Sequence, residues 1–135
     1  MKYFFRDIAN IKRKIKKSNF ALLLDFDLTL SPLAKNPHYA YLPKNTKEKL
    51  KKIASNISVV IITGRKLSDI KKRVNIKNIL YVGNHGLEHN LNKKYETVSL
   101  PFAVKKVLLK TKKELIRICK VYSNTVFEDK KYTFT

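Results

Sequence analysis

The chain has 135 residues, and Lys plus Arg outnumber Asp plus Glu by 30 to 10, which gives a formal charge of +20. A hydrophobic fraction of 44% excludes wholesale disorder, because a chain this apolar can bury a core despite its charge. We predict no membrane span, since no apolar stretch approaches the roughly 18 residues that a span needs. We also predict no signal peptide, because the basic N-terminus lacks a compact apolar region with a small-residue cleavage site. The single cysteine, Cys119, fits a reducing compartment. We therefore expect a cytoplasmic protein of one small domain, or a piece of a larger one.

The excess of positive charge raises the possibility of nucleic-acid binding, because clustered cations bind phosphate backbones. Two features oppose this as the main role. Of the 30 basic residues 25 are Lys and five are Arg, the type favoured for bidentate contacts to phosphates and bases, and the Lys are spread along the whole chain. We expect no specific nucleic-acid partner and no membrane partner, although a positive surface would attract small anionic substrates.

Apolar residues recur at helical spacing in residues 2–18, which predicts an amphipathic N-terminal helix. The next apolar run, 20–24, is too short for a helix and predicts a fully buried strand. Three prolines in residues 31–44 predict an ordered loop without regular structure. Asn45 opens a capping-box pattern, so we predict a helix over 45–55 with Asn45 as its N-cap.

Two further apolar runs, 59–62 and 79–82, predict buried strands separated by a short helix over 68–74. The resulting order of strand, helix, strand, helix, strand predicts a parallel sheet with right-handed crossovers.

The last third of the chain has a different pattern. Residues 86–99 predict an irregular or hairpin passage, followed by a long helix from Pro101 to about Tyr122. Alternating apolar and polar residues over 125–135 predict a final strand.

Two carboxylates, Asp25 and Asp27, follow the first predicted strand. Residues two apart in a strand share a face, and parallel sheets bind ligands at the carboxyl ends of their strands. Such a pair suits a divalent cation such as Mg²⁺, and it allows one carboxylate to be a nucleophile and the other a proton donor and acceptor. By itself, an Asp pair more often caps a loop after a strand.

The next two predicted strands also end in polar residues. Thr63 and Arg65 follow the second strand, and Asn84, His85 and Gly86 follow the third. Taken singly, the segment from Thr63 to Arg65 is as typical of a strand-to-helix turn as of a ligand contact, and a lone His such as His85 is more often structural than catalytic. Three successive strands that deliver polar groups to one edge of a sheet favour a ligand-binding site there.

These segments resemble, in order, motifs of the haloacid dehalogenase superfamily of phosphatases and, more narrowly, the trehalose-6-phosphate phosphatase family. The residues that carry the resemblance are Asp25-Phe26-Asp27-Leu28-Thr29-Leu30, Ile61-Ile62-Thr63-Gly64-Arg65, Gly83-Asn84-His85-Gly86-Leu87-Glu88 and Val126-Phe127-Glu128-Asp129-Lys130. The resemblance implies an α/β fold with an incomplete, Rossmann-like, three-layer parallel sheet and the start of an α+β cap. We divide the chain into the N-terminal helix (1–18), a partial core (19–99) and the beginning of the cap (100–135).

The family resemblance also implies a reaction. It predicts a Mg²⁺-dependent phosphoric monoester hydrolase that converts trehalose 6-phosphate to trehalose and phosphate in trehalose biosynthesis. Asp25 would attack phosphorus and become an aspartyl phosphate, while Asp27 would protonate the leaving sugar oxygen and later activate water. The Asp25 carboxylate and the Asp27 backbone carbonyl would hold Mg²⁺.

The resemblance also implies which residues contact the phosphate and which contact the sugar. Thr63 would bond a phosphate oxygen, and the sugar hydroxyls would bond to Glu128 and Lys130 of the cap. By themselves, these last two residues are equally typical of an exposed charge pair. The further residues that the resemblance places near the substrate are Arg65, Asn84, His85 and Gly86.

Two departures from the family pattern stand out. Leu28 occupies a position where the family usually has Gly, which matters if that position needs a positive φ. The family also continues with a His-x-Arg segment, a phosphate-binding Lys and an acidic motif whose strand lies beside the first strand. We therefore interpret the chain as the N-terminal part of a longer enzyme, or one completed by a second chain, and we expect 20–24 to form an exposed apolar edge.

The residues leave alternatives open. Another sugar phosphatase of the same superfamily would carry the same core motifs and differ in its cap. A catalytically inactive fragment that acts as a binding module would keep the fold without the activity.

Overall fold

The computed structural model describes residues 6–17, 19–91 and 94–135. Within these ranges the chain forms a five-stranded sheet whose strands lie side by side in chain order. The strands are β1 (Ala21–Leu24), β2 (Ser58–Ile62), β3 (Ile79–Gly83), β4 (Glu88–His89) and β5 (Glu96–Thr97). The first three are parallel to one another, and β3, β4 and β5 pair antiparallel, so the predicted parallel α/β arrangement is confirmed.

Four helices occur in the described part of the chain: α1 (Ile8–Lys17), α2 (Lys44–Ala54), α3 (Leu67–Val74) and α4 (Phe102–Val121). Helix α2 connects β1 to β2, and α3 connects β2 to β3, as the sequence predicted. No helix among the described residues is both long enough and apolar enough to cross a membrane. The predicted N-terminal helix is shorter than expected, and part of its predicted range (2–5 and 18) lies outside the described residues.

The core lies on one face of β2 and β3. Val59 and Ile61 of β2 are fully buried in one core cluster with Ile70 and Val74 of α3, whereas the alternate residues of both strands are only partly covered. These strands are therefore buried on one face, because a strand's side chains alternate between two faces and the helices cover one of them.

Strand β1 lies at the edge of the sheet. Its burial alternates, and Leu23 is 59% exposed, so the prediction of a fully buried strand is wrong. The physical reason is that β1 has one neighbouring strand and one covered face. The expectation of an exposed apolar edge over 20–24 is confirmed for β1.

Two local predictions before β2 also differ from the structure. Helix α2 begins at Lys44, directly after Pro43, and its N-cap makes no side-chain hydrogen bond, so the prediction of Asn45 as N-cap is wrong. Pro43 has the restricted φ that suits entry into a helix, and its carbonyl accepts from Lys47 N at 2.9 Å. The predicted irregular loop contains one 3₁₀ turn, Pro37–Tyr39.

The end of the chain folds back instead of forming the predicted strand over 125–135. Glu128 N donates to Thr135 O at 2.7 Å, and Lys130 N donates to Thr133 O at 2.9 Å. We call residues 128–135 the C-terminal hairpin; Lys131, with φ +75°, lies in its turn. The preceding helix α4 agrees with the prediction, but none of its residues is buried.

Candidate active site

The carboxyl ends of β1, β2 and β3 meet at one edge of the sheet, and the C-terminal hairpin lies opposite them. A cavity of about 340 Å³ separates the two parts. Its lining includes the site candidates Asp27, Arg65, His85, Glu128 and Lys130. The fold therefore brings together residues that are up to about 100 positions apart in the sequence.

The two candidate carboxylates differ in their surroundings. Asp25 is exposed, and its carboxylate makes no hydrogen bond or ion pair with any side chain that the structure describes. Asp27 is held by Arg65, whose Nη2 lies 2.6 Å from Oδ1 and whose Nε lies 2.9 Å from Oδ2. Phe26 between them is fully buried, and its carbonyl accepts from two backbone amides four and five residues further on. The strand end thus presents one free and one restrained carboxylate.

Arg65 is the most heavily bonded side chain at the site. Besides Asp27 it donates to the Pro37 carbonyl at 2.9 Å and to Asp69 Oδ2 at 3.2 Å, and its guanidinium lies 5.5 Å from the centre of the Phe26 ring. Burial lowers the pKa of Arg65, but its hydrogen bonds and charge interactions with the two carboxylates outweigh this, and the pKa is raised overall. Arg65 is therefore a fixed cation at the cavity wall.

Two residues that the sequence reasoning missed, Asp69 and Arg73, support Arg65 from helix α3. Arg73 Nε donates to Asp69 Oδ2 at 2.8 Å, and its Nη1 donates to the carbonyls of His38 and Ala40 in the loop before α2. Burial raises the pKa of Asp69, but the two arginines outweigh it and lower the pKa overall. For Asp69 and Arg73 the spacing of four residues was the available signal, since such residues are neighbours on a helix. Arg65 precedes the helix, so its contact with Asp69 had no such signal.

The turn after β2 is built for close packing. Thr63 is buried, and its Oγ1 accepts from Arg65 N at 3.2 Å, so its hydroxyl caps the turn and is absent from the cavity lining. At Gly64 a Cβ would lie 2.5 Å from Cε1 of His85. A side chain at this position would displace the imidazole, which lines the cavity here.

The three candidate site residues in the turn after β3 lie in different environments. His85 is exposed at the cavity, whereas Asn84 is fully buried and its amide bonds to the C-terminal hairpin. Gly86 has φ +96° and open space where a side chain would be. Asn84 and Gly86, like Asp25 and Thr63, are not among the residues that line the cavity.

The hairpin candidates face the sheet edge. Lys130 Nζ lies 3.5 Å from Glu128 Oε2, and both residues line the cavity opposite Asp27 and His85. Side chains that donate and accept hydrogen bonds at this position suit a polyhydroxylated ligand.

The donor set fits a divalent cation in part. The Asp25 carboxylate is exposed and unpaired among the described side chains, and the Asp27 backbone carbonyl is close in sequence. Mg²⁺ needs only one or two carboxylates when phosphate and water supply its remaining oxygen ligands. No group of three or more His, Cys, Asp or Glu able to hold a metal occurs in the described ranges.

Leu28 adopts the left-handed conformation, with φ +63°, and its side chain is 71% exposed at the cavity rim. A residue with a Cβ pays about 1–2 kcal/mol for this conformation, and glycine does not. The position where the resembled family usually has Gly is therefore one where this chain's backbone favours Gly.

The fold is that of known phosphatases. The C-terminal domain of the Candida albicans trehalose-6-phosphate phosphatase matches with a TM-score of 0.76 at 22% identity, over 91% of this chain and 44% of that one. A phosphatase of the haloalkanoate (HAD) superfamily from Bacteroides thetaiotaomicron matches with a TM-score of 0.51 at 25% identity, over 71% of this chain and 35% of that one. The chain has the HAD phosphatase fold, which confirms the predicted fold class.

The family is shown by the sequence. The family model described as Trehalose-phosphatase matches residues 23–135, so the chain belongs to the trehalose-phosphatase family. Trehalose-phosphate phosphatase B of Arabidopsis thaliana is 34% identical over 84 residues, which are 62% of this chain and 22% of the relative. The trehalose-phosphate phosphatase of Mycobacterium tuberculosis is 38% identical over 68 residues, or 50% of this chain and 17% of the relative. The chain thus spans about a fifth of the length of these curated relatives.

Proposed function

We propose that the protein hydrolyses trehalose 6-phosphate to trehalose and phosphate through an aspartyl-phosphate intermediate. The observation that carries the proposal is the unequal carboxylate pair after β1. Asp25 is exposed and has no side-chain partner among the described residues, while Asp27 is restrained by Arg65. A nucleophile needs an unpaired carboxylate, and an acid–base group needs a defined orientation. Membership of the trehalose-phosphatase family supports the choice of substrate.

In the first step the Asp25 carboxylate attacks phosphorus, and the bond from phosphorus to the sugar oxygen breaks as Asp27 gives that oxygen a proton. In the second step Asp27 takes a proton from water, which attacks the acyl phosphate and regenerates Asp25. Arg65 bonds both carboxylate oxygens of Asp27. Proton donation from Asp27 to the sugar oxygen therefore requires this contact to loosen when substrate binds.

Mg²⁺, held by the Asp25 carboxylate and the Asp27 backbone carbonyl, would neutralise charge on the phosphoryl oxygens. Thr63, Arg65 and His85 would surround the phosphate end of the substrate, and Glu128 and Lys130 would bond its sugar hydroxyls. Direct substrate contact by Gly86 stays a prediction, whereas Asn84 is fully buried and both ends of its side-chain amide are bonded to the hairpin. The cytoplasmic location and the completion of the site by a further segment or a second chain also stay predictions.

The test is phosphate release from trehalose 6-phosphate in the presence of Mg²⁺. Asp25→Asn should lower the rate at least about 1,000-fold, because it removes the nucleophile, and should leave the circular dichroism spectrum unchanged. Glu114→Gln, on the exposed surface of α4, is the control and should match the wild type. Full activity in Asp25→Asn would contradict the proposal. Faster release from glucose 6-phosphate than from trehalose 6-phosphate would favour another sugar phosphatase.

A further inference from the structure

Asn84 connects the sheet to the C-terminal hairpin. Its Nδ2 donates to the Lys130 carbonyl at 2.6 Å, and its Oδ1 accepts from Thr133 Oγ1 at 2.6 Å. The residue is fully buried and has φ +52°, a conformation that asparagine tolerates better than most residues. Both ends of one buried amide are thus bonded to one hairpin.

The backbone of Asn84 is also bonded, on the side of the sheet. Asn84 N donates to the Arg65 carbonyl at 2.7 Å, so the turn after β3 is bonded to the turn that carries the cation at the cavity wall. One short path of hydrogen bonds therefore runs from Arg65 through Asn84 to the hairpin. A buried amide that loses its hydrogen-bond partners is destabilised because no water replaces them, so the hairpin is held in the position where these bonds form.

The hydrogen bonds reach the part of the hairpin that lines the cavity. The carbonyl that accepts from Asn84 belongs to Lys130, whose side chain lines the cavity together with Glu128. Other contacts attach the hairpin away from the cavity: Asp129 bonds to Lys112 of α4 at 2.6 Å, and Tyr132 bonds to Thr97 of β5. None of these four residues lines the cavity. We therefore expect the position of Glu128 and Lys130 relative to the carboxylates to depend on Asn84 and Thr133.

We propose that Asn84 and Thr133 are positioning residues for sugar recognition, and that Asn84 acts through the hairpin without touching the substrate. They hold Glu128 and Lys130 over the cavity, where these side chains meet the sugar portion of a sugar phosphate. This inference rests on the proposed function. A positioning role differs from direct substrate contact in one consequence. If Asn84 acts through the hairpin, loss of its partner Thr133 should also impair sugar recognition, whereas direct contact by Asn84 would not require Thr133.

The test compares two phosphate esters, trehalose 6-phosphate and p-nitrophenyl phosphate, which has no sugar. Thr133→Val removes the donor but keeps the shape, and Asn84→Ala removes the amide. Each should lower kcat/KM for the sugar phosphate about 10-fold, mainly through KM, and change it less than about 2-fold for the aryl ester. The double variant should be no worse than the poorer single variant, since both changes break one connection. Thr111→Val, exposed on α4, is the matched control and should behave as wild type.

A loss of sugar-phosphate activity in Asn84→Ala with none in Thr133→Val would overturn the proposal in favour of direct substrate contact. Equal losses on both esters would overturn it as well, since sugar recognition would not be involved.

Hydrogen exchange in the same proteins separates this inference from the proposed function. The amides of Lys130 and Thr135 bond within the hairpin and should exchange faster in Thr133→Val and Asn84→Ala, but not in Thr111→Val. If the wild type hydrolyses neither ester, the proposed function fails, and unchanged exchange in Thr133→Val would show that the connection to Asn84 fails too.

Discussion

The unit formed by β2, α3 and β3 and the unit formed by α4 and the C-terminal hairpin are stabilised in different ways. In the first, residues such as Val59, Ile61 and Ile70 are fully buried against one another. In the second, a helix of 20 residues buries none, and polar contacts such as Lys112–Asp129 and Asn84–Thr133 hold the hairpin. The side of the site that carries Arg65 and His85 therefore lies on a packed core, whereas the sugar side depends on a few hydrogen bonds.

The largest expected effect is on the core. Ile70→Ala should lower the free energy of unfolding by about 3 kcal/mol, because a fully buried side chain leaves a cavity. Val107→Ala on α4, at a residue 63% exposed, should change it by less than about 0.5 kcal/mol. Urea denaturation of both variants measures the contrast. Similar losses in the two would show that α4 is packed as tightly as the core.

Glu88 connects the core to the antiparallel end of the sheet, and its loss should have the next largest effect. This buried carboxylate accepts from Leu67 N at 2.8 Å, at the start of α3, where an anion is favoured by the helix dipole. Glu88→Gln should cost about 1–2 kcal/mol of unfolding free energy. Glu48→Gln, exposed on α2, should leave it unchanged. A neutral result at Glu88 would mean that its charge contributes nothing to α3.

A substitution at Leu28, at the cavity rim, should change the free energy of unfolding by less and in the opposite direction. Leu28→Gly should raise the free energy of unfolding by up to about 1 kcal/mol, because it removes the cost of the left-handed conformation at an exposed side chain. Leu33→Gly is the matched control. Leu33 is also exposed but has no positive φ, so glycine there should destabilise the fold. A destabilised Leu28→Gly protein would show that the Leu28 side chain contributes contacts that outweigh the strain.

The smallest effect is on the acid side of the stability curve. The pKa of Asp69 is lowered from its usual 3.8, so its ion pairs with Arg65 and Arg73 stabilise the fold above that pH. The contribution is lost as the pH falls through the lowered value. Asp69→Asn should therefore flatten the dependence of unfolding free energy on pH below about pH 4. An unchanged pH dependence below pH 4 would show that the ion pairs of Asp69, whose side chain is 36% exposed, add no measurable stability.

Short-range patterns in the sequence were enough to predict the parallel strands and their helices. The apolar runs at 59–62 and 79–82 and the turns after them lie where they were predicted, because burial and turn chemistry are local properties of the sequence. The same patterns could not predict how much of β1 is covered. A continuous apolar run looks alike in a central strand and in an edge strand, and the number of neighbours depends on the whole fold.

At the site, too, local sequence patterns could predict positions along the chain but not long-range contacts. Asp25, Asp27 and Arg65 could be placed at one edge from their positions after strands. The partners of Arg65 and Asn84 could not be predicted, since Asp27 is 38 residues from Arg65, and Thr133 is 49 residues from Asn84. Contacts over such separations depend on how loops and the hairpin fold back on the sheet.

The most direct test of the central claim, that Asp25 is the nucleophile, is to trap the phosphorylated enzyme. Asp27→Asn should slow the attack of water on the acyl phosphate. The intermediate should therefore accumulate when this variant is mixed with Mg²⁺ and p-nitrophenyl phosphate, whose leaving group needs no proton from Asp27. After acid quenching, peptide mass spectrometry should find one phosphoryl group on Asp25. Phosphate release by the wild type with the phosphoryl group on another residue, or on none under these conditions, would contradict the account.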